Sequence, residues 1–100
     1  MEEINANNYL DKIHGNHAVI NFYETSCSNC QIMEPTINDL ERAFPHIKFL
    51  KVNVDRNPEL AQRFAIEALP TLILVKNGQY LPPIVGLKPY NFLAEKIKNL

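Results

Sequence analysis

A chain of 100 residues, 46% of them hydrophobic and 21% charged, holds enough apolar material for one packed domain, 1–100, without staples. A formal net charge of −1 gives no electrostatic case for nucleic acid or an anionic membrane surface, and two cysteines are too few for a disulfide scaffold. The opening Met1-Glu2-Glu3 has no leader character and the longest apolar run, Leu72 to Val75, is far short of a bilayer, so neither a signal peptide nor a membrane span is expected and the expected compartment is the cytoplasm.

Ala6, Tyr9, Leu10 and Ile13 recur at helical spacing until Gly15, with room before them for only a residue or two of strand around Ile4. Ala18 to Tyr23 reads as a strand covered on both faces, apolar at every position except Asn21. A helix then opens at Ser26-Cys27-Ser28-Asn29-Cys30. Cys30, Met33, Ile37, Leu40 and Phe44 share one stripe of a 3.6-residue period, which turns Cys30 inward and leaves Cys27 at the exposed N-terminal tip. Pro35 removes one hydrogen bond inside this helix and is expected to kink it. Ile47 to Val54 is a second strand. Asn57 reads as the cap and Pro58 as the first residue of a short helix with Leu60, Ala61 and Phe64 buried. Thr71 to Lys76 is a third strand, and Asn77-Gly78 a hairpin turn into a fourth. Pro82-Pro83 confines that fourth strand to an edge or a bulge. Pro89 starts a last helix with Phe92, Leu93, Ile97 and Leu100 inward, and Lys96 and Lys98 complement its dipole.

The order α-β-α-β-α-β-β-α predicts an α/β fold. Strands joined through helices are expected to run parallel, and the closing hairpin adds an antiparallel pair. The expected architecture is a mixed central sheet of about four main strands, the first strand short or absent, with helices on both faces.

Two thiols three residues apart at a strand-to-helix junction point to dithiol–disulfide exchange. A thiolate is the nucleophile in that reaction, and unpaired N–H groups at a helix start favour an anion. Position divides the labour: Cys27 attacks, and Cys30, one turn on, resolves. The competing reading is a zinc half-site completed by His14 and His17, with His46 as a spare, although these histidines read as solvated loop residues.

From about Ala6 to Leu100 the sequence resembles the thioredoxin family. The resemblance rests on Val19-Ile20-Asn21-Phe22-Tyr23 before the CxxC, Pro35 after it, Lys51-Val52-Asn53-Val54-Asp55 with Asn57-Pro58, Leu69-Pro70-Thr71, and Val85-Gly86. It implies the thioredoxin fold and a thiol–disulfide oxidoreductase that reduces protein disulfides. It further implies no bound cofactor beyond the redox-active Cys27–Cys30 pair, recharging by a thioredoxin reductase-like or other thiol reductant, and a monomer. Pro70, read from the residues alone as a trans proline opening a strand, becomes by resemblance a cis-proline that turns the Leu69 backbone toward an extended substrate. Ser26, Leu69, Pro70 and Gly86 form the implied substrate face, with Glu67 nearby, and Asn21, Lys51 and Pro70 the implied supporting residues. The alternatives are an isomerase or oxidant of higher potential, and a thioredoxin-fold binding module whose cysteines are incidental.

The sequence departs from the family pattern at four places. Ser26 stands for the usual tryptophan, Ser28-Asn29 for Gly-Pro, Gln31 for a common lysine, and Asn21 for the buried aspartate. Asn29 adds a backbone donor and Asn21 removes a negative charge, and both favour the Cys27 thiolate. A stabilised thiolate stabilises the reduced form, so a potential above roughly −270 mV is expected. An amide cannot accept a proton from Cys30, and charged Lys51 cannot either, which leaves resolution slow, water-mediated or assisted by Glu24.

Overall fold

The computed structural model describes residues 1–100. Its elements are β1 (Glu2–Glu3), α1 (Tyr9–Ile13), β2 (Ala18–Tyr23), α2 (Ser28–Ala43), β3 (Lys48–Asn53), α3 (Pro58–Arg63), β4 (Thr71–Lys76), β5 (Gln79–Tyr80), β6 (Ile84–Val85) and α4 (Tyr90–Lys98). One mixed sheet runs β1-β3-β2-β4-β5, with β6 also pairing β4. β1, β3 and β2 are parallel, and β4 lies antiparallel to β2 with Phe22 opposite Thr71 and Asn21 opposite Leu72.

Side chains alternate across β2 and sort the core into two halves. Ala18, Ile20 and Phe22 join Tyr9, Ile13 and Leu60 under α1 and α3. Val19 joins Met33, Ile37, Leu40, Leu93 and Ile97 under α2 and α4. Both faces of the sheet are thus covered, as a run apolar at almost every position requires. The α2 face turns polar along β2 and β3. On β2 it passes from Val19 to Asn21 and Tyr23, and on β3 from Phe49 to Lys51, with Asn21 and Lys51 as register partners. That polar end of the sheet lies beneath the start of α2.

The expected fold class holds, with local corrections. The connection through α3 does not deliver a parallel strand. α3 spans six residues, the chain reverses at Ala65 (φ 54°), and β4 enters beside β2 in the opposite direction. The fourth strand is split into two-residue β5 and β6, since a proline cannot donate to a ladder and Pro82-Pro83 stand between them. Asn77 (φ 51°) and Gly78 (φ 79°) form the left-handed pair that a tight hairpin needs. Leu10 and Phe92 point to solvent, 59% and 41% exposed, instead of inward. The Phe92 ring lies between the Lys88 and Lys96 ammonium groups, 5.5 and 5.6 Å from its centroid, which gives an exposed aromatic favourable partners. Ala61, Phe64 and Phe44 are half-buried. Asn57 does not cap α3 through its side chain. It is buried, accepts from the Ala6 N–H at 3.3 Å and donates to the Asn53 carbonyl at 3.0 Å, tying the α1 segment to the end of β3.

Candidate active site

Cys27 is the N-cap of α2, with extended backbone (φ −80°, ψ 110°), and Cys30 completes the first turn. The two form a disulfide with Cα atoms 5.2 Å apart. The Cys30 backbone N–H donates to Cys27 Sγ at 3.1 Å, so a sulfur fills the capping position that a serine or aspartate oxygen usually occupies. Helix N-terminal N–H groups favour negative charge, and this bond aims one of them at the atom that would carry it. Cys27 is half-buried and Cys30 is 7% exposed, held inward by the stripe that continues through Met33, Ile37 and Leu40. The sequence places Cys27 at an exposed tip, whereas the fold leaves it only partly exposed.

Around the pair, the loop is fixed by its own hydrogen bonds. The Cys27 N–H donates to the Glu24 carbonyl at 3.2 Å, the Gln31 amide to the Thr25 carbonyl at 3.0 Å, and the Ser26 hydroxyl to Glu24 Oε1 at 2.7 Å. Because Phe22 faces Thr71 across the sheet, the segment after β2 and the segment before β4 emerge at the same sheet end. There the Leu69–Pro70 peptide bond is cis. The Pro70 carbonyl accepts from the Gly86 N–H at 2.8 Å, bringing Gly86 against Pro70, and Gly86 itself holds φ +86°, a conformation that suits glycine. Leu69 is half-buried, and its own N–H and C=O bond to no other group of the chain. Glu67 is exposed nearby in sequence.

Beneath the cysteines lies a cavity of about 330 Å³, lined by Asn21, Tyr23, Glu24, Cys30, Glu34 and Lys51 among others. Asn21 is 7% exposed and its Oδ1 has no hydrogen-bond partner in the chain. Lys51 Nζ stands 5.5 Å from the Tyr23 ring centroid, and the Tyr23 hydroxyl donates to Glu3 at 2.8 Å. Burial first, and that bond second, hold the Tyr23 phenol above its ordinary value. The structure therefore brings Cys27, Cys30, Asn21, Lys51 and Glu24 together, and sets Leu69, Pro70 and Gly86 at the same sheet end. His17 accepts from the Asn77 N–H at 3.1 Å in the hairpin turn, and no three or more metal-ligating side chains cluster anywhere. Sequence reasoning missed Glu34 and Tyr23 as cavity-lining groups. The signal for Glu34 was its position four residues after Cys30, on the same helix face.

The family model described as Thioredoxin matches residues 1–99. Among curated proteins, mitochondrial thioredoxin-3 of Saccharomyces cerevisiae is 39% identical over 82 residues, covering 82% of this chain and 64% of that protein. The thioredoxin of Chlamydia trachomatis is 31% identical over 99 residues, covering 99% of this chain and 97% of that protein. Among solved structures, the oxidised form of mitochondrial thioredoxin 3 from Saccharomyces cerevisiae superimposes with a TM-score of 0.92 at 33% identity, covering 100% of this chain and 95% of that one.

Proposed function

The chain belongs to the thioredoxin family and is a thiol–disulfide oxidoreductase, and on that premise we propose that it reduces protein disulfides with Cys27 as nucleophile and Cys30 as resolving thiol. The observation that carries this division is the Cys30 N–H donated to Cys27 Sγ at the head of α2. In the reduced protein the same donor meets a thiolate, and a charge-assisted bond is worth roughly twice a neutral one. Cys27 Sγ attacks a substrate disulfide, one substrate sulfur leaves, and a mixed disulfide forms. Cys30 then attacks Cys27 Sγ and releases the second substrate sulfur.

The substrate lies as an extended segment along Leu69, whose unpaired N–H and C=O suit main-chain pairing, with Ser26, Pro70 and Gly86 beside it. With serine where the family has an aromatic, this face has less apolar area for a partner, so binding is weaker than for a general thioredoxin. The pair needs no bound cofactor and is recharged by a thioredoxin reductase-like or other thiol reductant. A reducing cytoplasm suits this cycle, with the protein acting as a monomer and with no membrane or nucleic-acid partner. No helix is long and apolar enough to cross a membrane.

Asn21 favours a second reading in one respect, a potential high enough for isomerase or oxidant work, because no carboxylate lies at this buried position to oppose the thiolate. Reduction of insulin disulfides tests the main reading. The wild-type chain is expected to turn over and Cys27→Ser to lose all activity. Cys30→Ser is expected to accumulate a mixed disulfide with its substrate. Retention of activity in Cys27→Ser would contradict the assignment.

A further inference from the structure

We propose that Glu34 takes the proton of Cys30 when the mixed disulfide is resolved, through water held in the cavity beneath the cysteines. This deepens the oxidoreductase reading and rests on it. Resolution requires Cys30 to become a thiolate, and burial raises the cost of that charge. Cys30 is 7% exposed, which shields it from bases in bulk solvent. Asn21 and Lys51, which line the same cavity from the sheet, have no basic atom to offer, one being an amide and the other an ammonium.

Two carboxylates line the same cavity, Glu24 and Glu34. One oxygen of Glu24 already accepts the Ser26 hydroxyl at 2.7 Å, on the loop before the helix. Glu34 makes none of the chain's ion pairs, which join Met1 to Glu41, Lys12 to Glu2 and Arg42 to Asp39. Cys30 and Glu34 are four residues apart on α2, so their side chains lie one above the other. Cys30 is the buried end of that pair and Glu34 the exposed end. They form a path from the thiol to solvent with the cavity between them.

At about 330 Å³ and with mostly polar residues around it, the cavity accommodates several waters. One of these waters accepts the Cys30 S–H and points a hydrogen at the Glu34 carboxylate, which lines the same cavity. Glu34 is then the final acceptor. In the step itself, the Cys30 proton passes to the water as the water passes one to Glu34. Cys30 Sγ attacks Cys27 Sγ, the Cys27–Cys30 bond forms, and the bond from Cys27 to the substrate sulfur breaks. The substrate leaves as a thiolate with the electron pair, the two cysteines are oxidised together, and Glu34 returns its proton to solvent.

Electrostatics alone predicts the opposite effect of removing Glu34. A carboxylate near Cys30 disfavours its thiolate, so Glu34→Gln should speed resolution if charge were its only role. The test uses the reduced full chain and the aromatic disulfide dithiobis-nitrobenzoate, which releases one coloured thiol as Cys27 attacks and a second as Cys30 resolves. Glu34→Gln is expected to slow the second release about 10-fold or more at pH 7 and leave the first unchanged. The deficit should close as the pH rises into the alkaline range, where hydroxide takes over as the base, and Glu34→Asp should restore part of the rate. A second release that is unchanged or faster in Glu34→Gln overturns the proposal, as does a slowing found in Glu24→Gln and not in Glu34→Gln. If the wild-type chain releases only one thiol, the oxidoreductase reading fails first and the proposal with it.

Discussion

At the scale of single residues, the chemistry turns on what surrounds two sulfurs. Cys27 occupies a capping position and receives a backbone N–H at 3.1 Å, while Asn21 sits buried beneath with an unpaired oxygen. The places of Cys27 at the helix start and of Asn21 on the strand were legible in the sequence, because cysteine spacing, a strand apolar except at Asn21, and helical periodicity are local signals; the donor was not, since the sequence points to the Asn29 N–H and the bond comes from Cys30. Glu34 was not legible as part of the site. Its spacing from Cys30 sets both on one helix face, but its charge and exposure are those of any solvated helix residue, and the cavity between α2 and the sheet is what singles it out. Restoring a carboxylate by Asn21→Asp is expected to lower the potential by about 30 mV, the equivalent of one pKa unit at the nucleophile. The shift is read by equilibration with glutathione. In that background the cost of Glu34→Gln should shrink, since two acceptors would then serve one proton and their effects would not add.

At the scale of elements, periodicity assigned faces correctly where a helix lies fully over the sheet and failed where it does not. Met33, Ile37 and Leu40 are buried as the stripe on α2 predicts. Leu40→Ala is expected to cost about 2–5 kcal/mol in denaturant unfolding, because Leu40 is fully enclosed. Phe92, in the first turn of α4, and Leu10, on five-residue α1, fall outside the covered area, although their spacing fits an inward face. Asn57 shows a different failure. A sequence that reads as a cap cannot reveal that the side chain is claimed by groups distant in the chain, the Ala6 N–H and the Asn53 carbonyl. Asn57→Ala should cost about 2 kcal/mol, leaving two polar groups unpaired. Asn57→Ser tests the role: serine is as good a cap as asparagine, so recovery of full stability would restore the capping account, whereas the bridging account predicts little recovery.

At the scale of the whole molecule, the sheet's order and strand directions were the least legible features. Nothing local states that the short α3 returns β4 antiparallel to β2, yet that reversal sets Leu69 and Pro70 at the same sheet end as the cysteine loop. The edge of the sheet also shapes the response to pH. Tyr23, at the end of β2, donates to Glu3 of β1, and its phenol is held above its ordinary value by burial and then by that bond. Tyr80 is raised as well, by the partial burial of a side chain that stays 43% exposed, so its share is the smaller. A group whose folded value is raised contributes stability that is complete below its unfolded value of about 10 and is lost as pH climbs through the folded value. Stability should therefore decline above about pH 10, and Tyr23→Phe should flatten part of that decline in urea titrations across the alkaline range, with Tyr80→Phe removing a further, smaller part. A decline of undiminished steepness in the double variant would contradict this.

Fold, helix start and buried amide converge on one quantity, the balance between the Cys27–Cys30 disulfide and its dithiol. An N–H aimed at Cys27 Sγ and an uncharged Asn21 both favour the reduced form. Equilibration of the wild-type chain with glutathione of known poise measures that balance directly. The account predicts a potential above roughly −270 mV, and a value at or below that figure would contradict it.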